Sequence, residues 1–375
     1  MFDIKKLFRS NVLDMEEYTP IVPLDVLSAR LGFPPEQLVK LDANENPYGP
    51  SPRALRAMCD FPYTHIYPDP GQHLLCAALE KYIGLDRSYI LCGAGSDELL
   101  DLVLRLFMEP GDAILNCPPT FGMYSFSAGV CGAQVINVPR RDDFSLDVEA
   151  VEARIAASVS ATDAGGSSTA HGRLKVLFIS QPNNPDGGLV AKSVIERLLR
   201  WPVVVVMDEA YAEFSGESVA EWVPRYPNLI VMRTFSKWAG LAGLRFGYGL
   251  FPPDIIAQLW KIKQPYNVNV AAQAAVLASL EDLDYLGSNV RRIVAERERL
   301  FGLLQAVPYL RPHPSCSNFI LCRVSGHDAR DLKLALEKRG VLVRYFCKPG
   351  LTDCVRISVG TPEQTDKLMH VLRSL

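Results

Sequence analysis

Paired cysteines, clustered histidines, basic runs and long apolar stretches are all missing from this 375-residue chain. Its nine cysteines stand singly between Cys59 and Cys354, never as C-x-x-C, and its six histidines are equally dispersed. That spacing offers neither a zinc site nor a disulfide framework. Each thiol reads instead as a small buried hydrophobe in a reducing, cytoplasm-like compartment. No apolar run approaches the roughly 20 residues that would span a membrane. The first residues, MFDIKKLFRSNVLDMEEY, lack the apolar core and cleavage site of a secretory signal, and a plastid location would require a transit peptide already trimmed away. With no dense Lys/Arg run and a formal net charge of −3, neither nucleic acid nor membrane is expected as a partner. Internal repeats are absent too. The one low-complexity stretch, ASVSATDAGGSSTAHGR (Ala157–Arg173), reads as a mobile surface insertion between the helical pattern DVEAVEARI and the strand KVLFIS.

The composition, 48% hydrophobic and 22% charged, suits a globular protein long enough for two domains. Short apolar runs alternate with helical patterns through the middle of the chain: YILC (Tyr89–Cys92), AILNC (Ala113–Cys117), KVLFIS (Lys175–Ser180), VVVVM (Val203–Met207) and LIVMR (Leu229–Arg233). Runs without polar alternation suit strands covered on both faces, so the fold class is α/β with a mostly parallel sheet between helices. After Pro265 the texture changes. A long charged helical pattern, NVRRIVAERERLFGLLQ, leads to three further strand candidates, NFILCRV, VLVRYF and CVRISVG, as in a smaller α+β domain. The expected organisation is an N-terminal arm over residues 1–45 packing with the small domain, a large domain over 46–262 and a small domain over 263–375.

Ligands of open α/β sheets bind beyond the carboxyl ends of the strands, and each candidate strand here runs into a polar loop. YILC is followed by GAGSDE, KVLFIS by QPNNPDG, VVVVM by DEAY and LIVMR by TFSK. GAGSDE opens a helix that Ser96 or Asp97 can cap, and bare N–H groups beside Gly93 and Gly95 make an anion site. On its own it is equally an ordinary helix start, or a fragment of a dinucleotide fingerprint that lacks its third glycine. Asp208 alone would be a strand-end carboxylate, and Asn183 with Asn184 a proline-bounded turn. Lys237 and Arg245, in RTFSKWAGLAGLRFGYG, fit a purely structural reading least. No acidic residue lies between Arg233 and Gly249 to balance them. A phosphate matches the planar fork of Arg245, and a desolvated lysine beside another cation becomes a nucleophilic amine. A phosphate site, such a lysine and a carboxylate at a strand mouth are together what pyridoxal 5'-phosphate requires.

In order and spacing, NPxGPSP, GAGSDE, PPTFGMY, PNNPDG, DEAY, TFSKxxGLAGLR and VRISVG resemble the fold-type I pyridoxal-phosphate aminotransferases from about Tyr18 to the C-terminus. The stretches TPIVPLDVLSARLG, LDANENPYGPSP, FPYTHIYPDP and KQPYNVNVAAQ are similar to the branch of that family acting on histidinol phosphate. The resemblance implies that Lys237 is the Schiff-base lysine and that Asp208 pairs with the ring nitrogen. It implies that Asn184 and Tyr211 bond the ring hydroxyl and that Tyr124 stacks on the ring. Arg245, Thr234, Ser236 and the helix start Gly95–Ser96–Asp97 would hold the cofactor phosphate. Tyr67 would reach the cofactor of a partner subunit, making the protein a homodimer. Arg356, Arg344 and Asn44 would bind substrate: histidinol phosphate in one half-reaction, with glutamate and 2-oxoglutarate as the other pair. Two positions depart from the family pattern. Ile21 follows Thr19 and Pro20 where a tyrosine is usual, with Tyr18 nearby, and Trp238 follows the lysine in place of a small or basic residue. Competing readings are threonine-phosphate decarboxylase or an aromatic-amino-acid aminotransferase of the same fold, and a nucleotide-binding oxidoreductase.

Overall fold

The computed structural model describes residues 2–13, 15–17, 22–163 and 173–375. Among them run twelve strands: β1 (Val39–Leu41), β2 (Ile90–Gly93), β3 (Ala113–Asn116), β4 (Gln134–Asn137), β5 (Leu174–Ser180), β6 (Val204–Asp208), β7 (Leu229–Thr234), β8 (Gly247–Leu250), β9 (Leu310–Pro312), β10 (Phe319–Val324), β11 (Val341–Tyr345) and β12 (Cys354–Ser358). Seven of them form a sheet in the order β2-β8-β7-β6-β5-β3-β4, parallel except for β8, which runs antiparallel to both its neighbours. Successive residues of β6 separate into two apolar clusters, Val205 and Met207 on one side and Val206 on the other. Both faces are thus covered, which is why VVVVM shows no polar alternation. The other five strands form the sheet β1-β11-β12-β10-β9, in which β1 pairs parallel with β11 and the remaining pairs are antiparallel. No helix among the described residues is long and apolar enough to cross a membrane.

The apolar runs read from the sequence became β2, β3, β5, β6, β7, β10, β11 and β12. Two strands of the large sheet carried no such signal. β4 is a short edge strand with no fully buried residue. β8, GYGL, reads as a glycine loop, yet Gly247 is there because a Cβ would collide with the backbone nitrogen of Ser96. The stretch from Ala157 to Arg173 is not all loop: the helix Val148–Asp163 continues seven residues into it, its Ala-rich turns favouring that extension. The remainder, residues 164–172, lies outside the described residues, as do Tyr18, Thr19, Pro20 and Ile21.

The segment after β1 lies against the Lys237 loop. Asn46 Nδ2 donates to the carbonyl of Trp238 at 2.8 Å. Gly240, at φ +69°, approaches so closely that a Cβ would stand 2.5 Å from Gly49 O and 2.8 Å from Pro50 N. Gly240→Ala is therefore expected to cost about 1–3 kcal/mol through strain and forced separation, read as a lowered melting temperature. An unchanged melting temperature would show that the two segments separate freely.

Candidate active site

The polar loops converge beyond the carboxyl ends of β5, β6 and β7. Asp208, the last residue of β6, is buried. Its Oδ2 accepts from the Tyr124 hydroxyl at 2.6 Å and its Oδ1 from the Ala210 N–H at 3.1 Å. Burial pushes its pKa up to about 6, against the two hydrogen bonds that favour the ionised form. Tyr124 itself is fully buried, its ring stacked on Phe178 at 4.9 Å with planes 9° apart. It has no face to offer a ring in the cleft, so the stacking role expected of it is corrected: Tyr124 holds the Asp208 carboxylate. Phe121, edge-on to Tyr124 at 5.6 Å and only partly buried, is the aromatic beside it.

Lys237 follows β7, the strand paired with β6. Its Nζ donates to the carbonyl of Ala43 at 3.1 Å and lies 6.0 Å from the centre of the Tyr211 ring. Burial, and after it the neighbouring Arg356 and Arg245 cations, lower its pKa to about 8. Asn44, which has a left-handed backbone at φ 54°, gathers the site from several directions. Its Nδ2 donates to the Tyr211 hydroxyl at 3.0 Å, its N–H donates to Ser358 Oγ at 2.8 Å, and its carbonyl accepts from Asn318 Nδ2 at 2.9 Å. The unexpected Trp238 is structural. Its ring is buried and stacked on Tyr82 at 5.5 Å, pinning the residue after Lys237.

A second group gathers at the start of the helix Ser96–Phe107. This helix begins at Gly95 without any side-chain cap, so neither Ser96 nor Asp97 closes its first turn as expected. Arg245 reaches over Gly95, where a Cβ would stand 2.5 Å from Arg245 Nη2. The carboxylate that the local sequence does not supply comes from Asp97, which accepts from Arg245 Nη2 at 2.7 Å. Both side chains are about half exposed, at 48% and 43%, so the pair is weak and exchangeable. Thr234 and Ser236 are buried and share a 2.9 Å hydroxyl–hydroxyl bond.

Arg356 on β12 is buried, and its guanidinium donates to Asn184 Oδ1 at 2.6 Å and to the Asp42 carbonyl at 2.9 Å. Phe319 and Phe346 flank it at 5.2 and 5.4 Å. Arg344 stands opposite it on β11 and therefore on the same sheet face. Tyr67 is not brought to this cleft. It is 78% exposed and stacks on Tyr266 at 4.6 Å. Reading the sequence missed Ala43, Ser358, Asn318 and Phe319. Asn318 and Phe319 open the strand run NFILCRV, and Ser358 lies inside VRISVG, so both motifs held a signal. Nothing local marks the Ala43 carbonyl.

A family model described as aminotransferase class I and II matches residues 36–372. The chain belongs to the class I and II aminotransferases. It is 52% identical over 380 residues to a histidinol-phosphate aminotransferase of Roseiflexus castenholzii, covering 99% of each chain. It is likewise 52% identical over 367 residues to a chloroplastic histidinol-phosphate aminotransferase of Nicotiana tabacum, covering 97% of this chain and 86% of that one. Its structure is similar, with a TM-score of 0.84 and 27% identity over 98% of both chains, to histidinol-phosphate aminotransferase from Sinorhizobium meliloti in complex with pyridoxal 5'-phosphate. This aminotransferase takes the same cofactor, and its residues fit it. A buried carboxylate, a lysine with a depressed pKa and an uncapped helix start beneath an arginine answer respectively to a cationic ring nitrogen, an aldehyde and a phosphate.

In the cofactor-free aminotransferase the raised pKa of Asp208 carries a cost with a defined sign. Its stabilising contribution is complete below pH 3.8 and is lost as pH rises through about 6. Asp208→Asn should therefore stabilise the cofactor-free protein at pH 8, by up to about 3 kcal/mol, with a gain that shrinks toward pH 4. Melting temperatures across that range check it. A variant destabilised at pH 8 would contradict the burial cost assigned to Asp208.

Proposed function

We propose that this aminotransferase moves the amino group of L-histidinol phosphate to 2-oxoglutarate, giving imidazole-acetol phosphate and L-glutamate. The observation that carries the reading is the setting of Arg356, a buried guanidinium between two phenylalanines with Arg344 across the strand. Both the phosphate of histidinol phosphate and the α-carboxylate of glutamate present paired oxygens to such a fork. The names of the relatives at 52% identity support the same substrate.

Bound pyridoxal 5'-phosphate supplies an electron sink for the bonds of the amino-bearing carbon. Lys237 would hold it covalently, and Asp208, steadied by Tyr124 and the Ala210 N–H, would keep the proton on its ring nitrogen. Asn184 and Tyr211 would bond its ring oxygen, with Phe121 rather than Tyr124 as the aromatic face. Arg245, Thr234, Ser236 and the N–H groups that follow Gly95 would hold its phosphate, Arg245 exchanging Asp97 for it. With a pKa near 8, the amine of Lys237 both accepts and returns a proton around neutral pH, which suits it to move the proton of the substrate carbon. Arg356 holds the substrate anion, supported by Arg344 and by Asn44, which aligns Tyr211. In this reading residues 46–262 carry the cofactor, residues 263–375 carry both substrate arginines, and residues 1–45 form an arm whose β1 joins the smaller sheet.

A homodimer is part of the same reading. Exposed Tyr63, Ile66 and Tyr67 line an apolar groove with Phe61 and Val270, a surface suited to a second copy that would carry Tyr67 to the neighbouring site.

The purified protein is expected to form glutamate and imidazole-acetol phosphate from histidinol phosphate and 2-oxoglutarate, without releasing carbon dioxide. Decarboxylation of threonine phosphate instead would replace this substrate assignment. In Arg356→Ala both half-reactions should weaken, by roughly 2–5 kcal/mol each. Single-turnover absorbance with each substrate measures them, and a loss confined to glutamate would move the phosphate contact to Arg344. Sedimentation at low concentration should show a dimer that Tyr67→Ala weakens. A fully active wild-type monomer would rule out a shared site.

A further inference from the structure

Residues 139–147, PRRDDFSLD, leave β4 and place one side chain of the large sheet's layer into the small one. Phe144 is only 4% exposed yet has φ +65°, a conformation that bulky L-residues avoid. Its surroundings enforce it. The Phe144 N–H donates to Arg141 O at 2.8 Å, and the Arg141 N–H donates to Ser145 O at 3.0 Å. Arg140 Nη1 donates to the Phe144 carbonyl at 3.1 Å, while Arg140 Nε donates to Cys117 O at 3.3 Å, tying the turn to the end of β3. The ring packs with Leu321, Leu351 and Cys354 in an apolar cluster separate from the main core, with Phe346 against it. His313 meets the ring edge-on at 4.7 Å, and Arg323 lies over it at 5.5 Å while donating to Asp142 O at 3.2 Å.

Register connects this plug to the substrate arginines. Leu321 pairs with Arg356, Arg323 with Cys354 and Arg344 with Arg356. Directly paired residues share a face, as do residues two apart on one strand. Leu321, Arg323, Cys354, Arg356 and Arg344 therefore occupy one face of the small sheet, and Phe144 covers its outer half. Phe346, which packs against the Phe144 cluster, also flanks Arg356 at 5.4 Å and Arg344 at 5.6 Å. Strained backbone of this kind persists where the surroundings over-determine it and clusters at functional sites.

We infer that Phe144 is a positioning residue for anion recognition: its ring, driven across from the large sheet's layer, fixes Phe346 beside Arg344 and keeps water from the buried Arg356 guanidinium. This rests on the reading that those arginines hold the substrate phosphate. The role is one of specificity, because the plug touches neither Lys237, Asp208 nor the phosphate cradle.

The test compares histidinol phosphate with histidinol, which lacks the phosphate, as amino donors to the holoenzyme. Phe144→Ala should lower the ratio of their kcat/KM values by about tenfold or more. The loss should fall mainly on KM for the phosphorylated donor, and absorbance of the bound cofactor should be unchanged. Phe144→Leu, which keeps an apolar plug, should lie between the two and decides the matter if Phe144→Ala does not fold. A merely structural role would weaken both donors equally, and that outcome, or an unchanged ratio, overturns the inference. A wild type that shows no preference for the phosphorylated donor overturns the substrate reading and this inference with it. A wild type and a variant that discriminate alike overturn this inference alone.

Discussion

A carboxylate and an amine taken out of water at the ends of neighbouring strands set the terms for the rest of this structure. Asp208 and Lys237 each have their charged form disfavoured by burial, the acid raised to about 6 and the amine lowered to about 8. Between those values both groups carry charge at a cost in the cofactor-free chain. The surroundings limit that cost without cancelling it. Asp208 receives two donors, Lys237 a single backbone carbonyl, and neither is given the other as a partner. A site that leaves both charges partly unmet is suited to a ligand that brings a cationic ring nitrogen and an aldehyde.

The segment directly after β1 makes the two sheets into one site. Within a few residues it gives the Asp42 carbonyl to Arg356, the Ala43 carbonyl to Lys237, the Asn44 side chain to Tyr211 and the Asn46 side chain to the backbone of Trp238. The first three join backbone or amide groups to charged or phenolic ones and the fourth joins an amide to a backbone carbonyl, all in a region where each unmet buried group would be expensive. Asn44 accepts a left-handed backbone to do this, a conformation that asparagine tolerates better than most residues. Gly240 and Gly49, meeting backbone to backbone, bring the Lys237 loop close enough for the same purpose.

Much of this was legible one-dimensionally, for identifiable reasons. Buried parallel strands write uninterrupted apolar runs, and functional loops sit at their carboxyl ends, so Asp208, Lys237 and Asn184 could be found in the loop after each run. β8 could not. Its Gly247 is demanded by the backbone of Ser96, a neighbour about 150 residues away in the chain. Tyr124 was assigned to the right place and the wrong task, because one motif, PPTFGMY, carries two aromatics and only burial decides which of them faces the cleft. Its hydroxyl on Asp208 explains why the deeper position holds a tyrosine.

By itself the sequence determined the residue types of the site, the α/β class and the two cations in a loop with no acidic neighbour, since these arise from composition, period and motif order. Tertiary structure alone decided their partners. Asp97 meets Arg245 across 148 positions, and Arg356 meets Asn184 across 172. Phe144 is strained into a sheet to which its own loop does not belong. Pairings of that kind depend on how strands and helices pack, and no local pattern encodes a contact whose two halves are brought together only when the chain has folded.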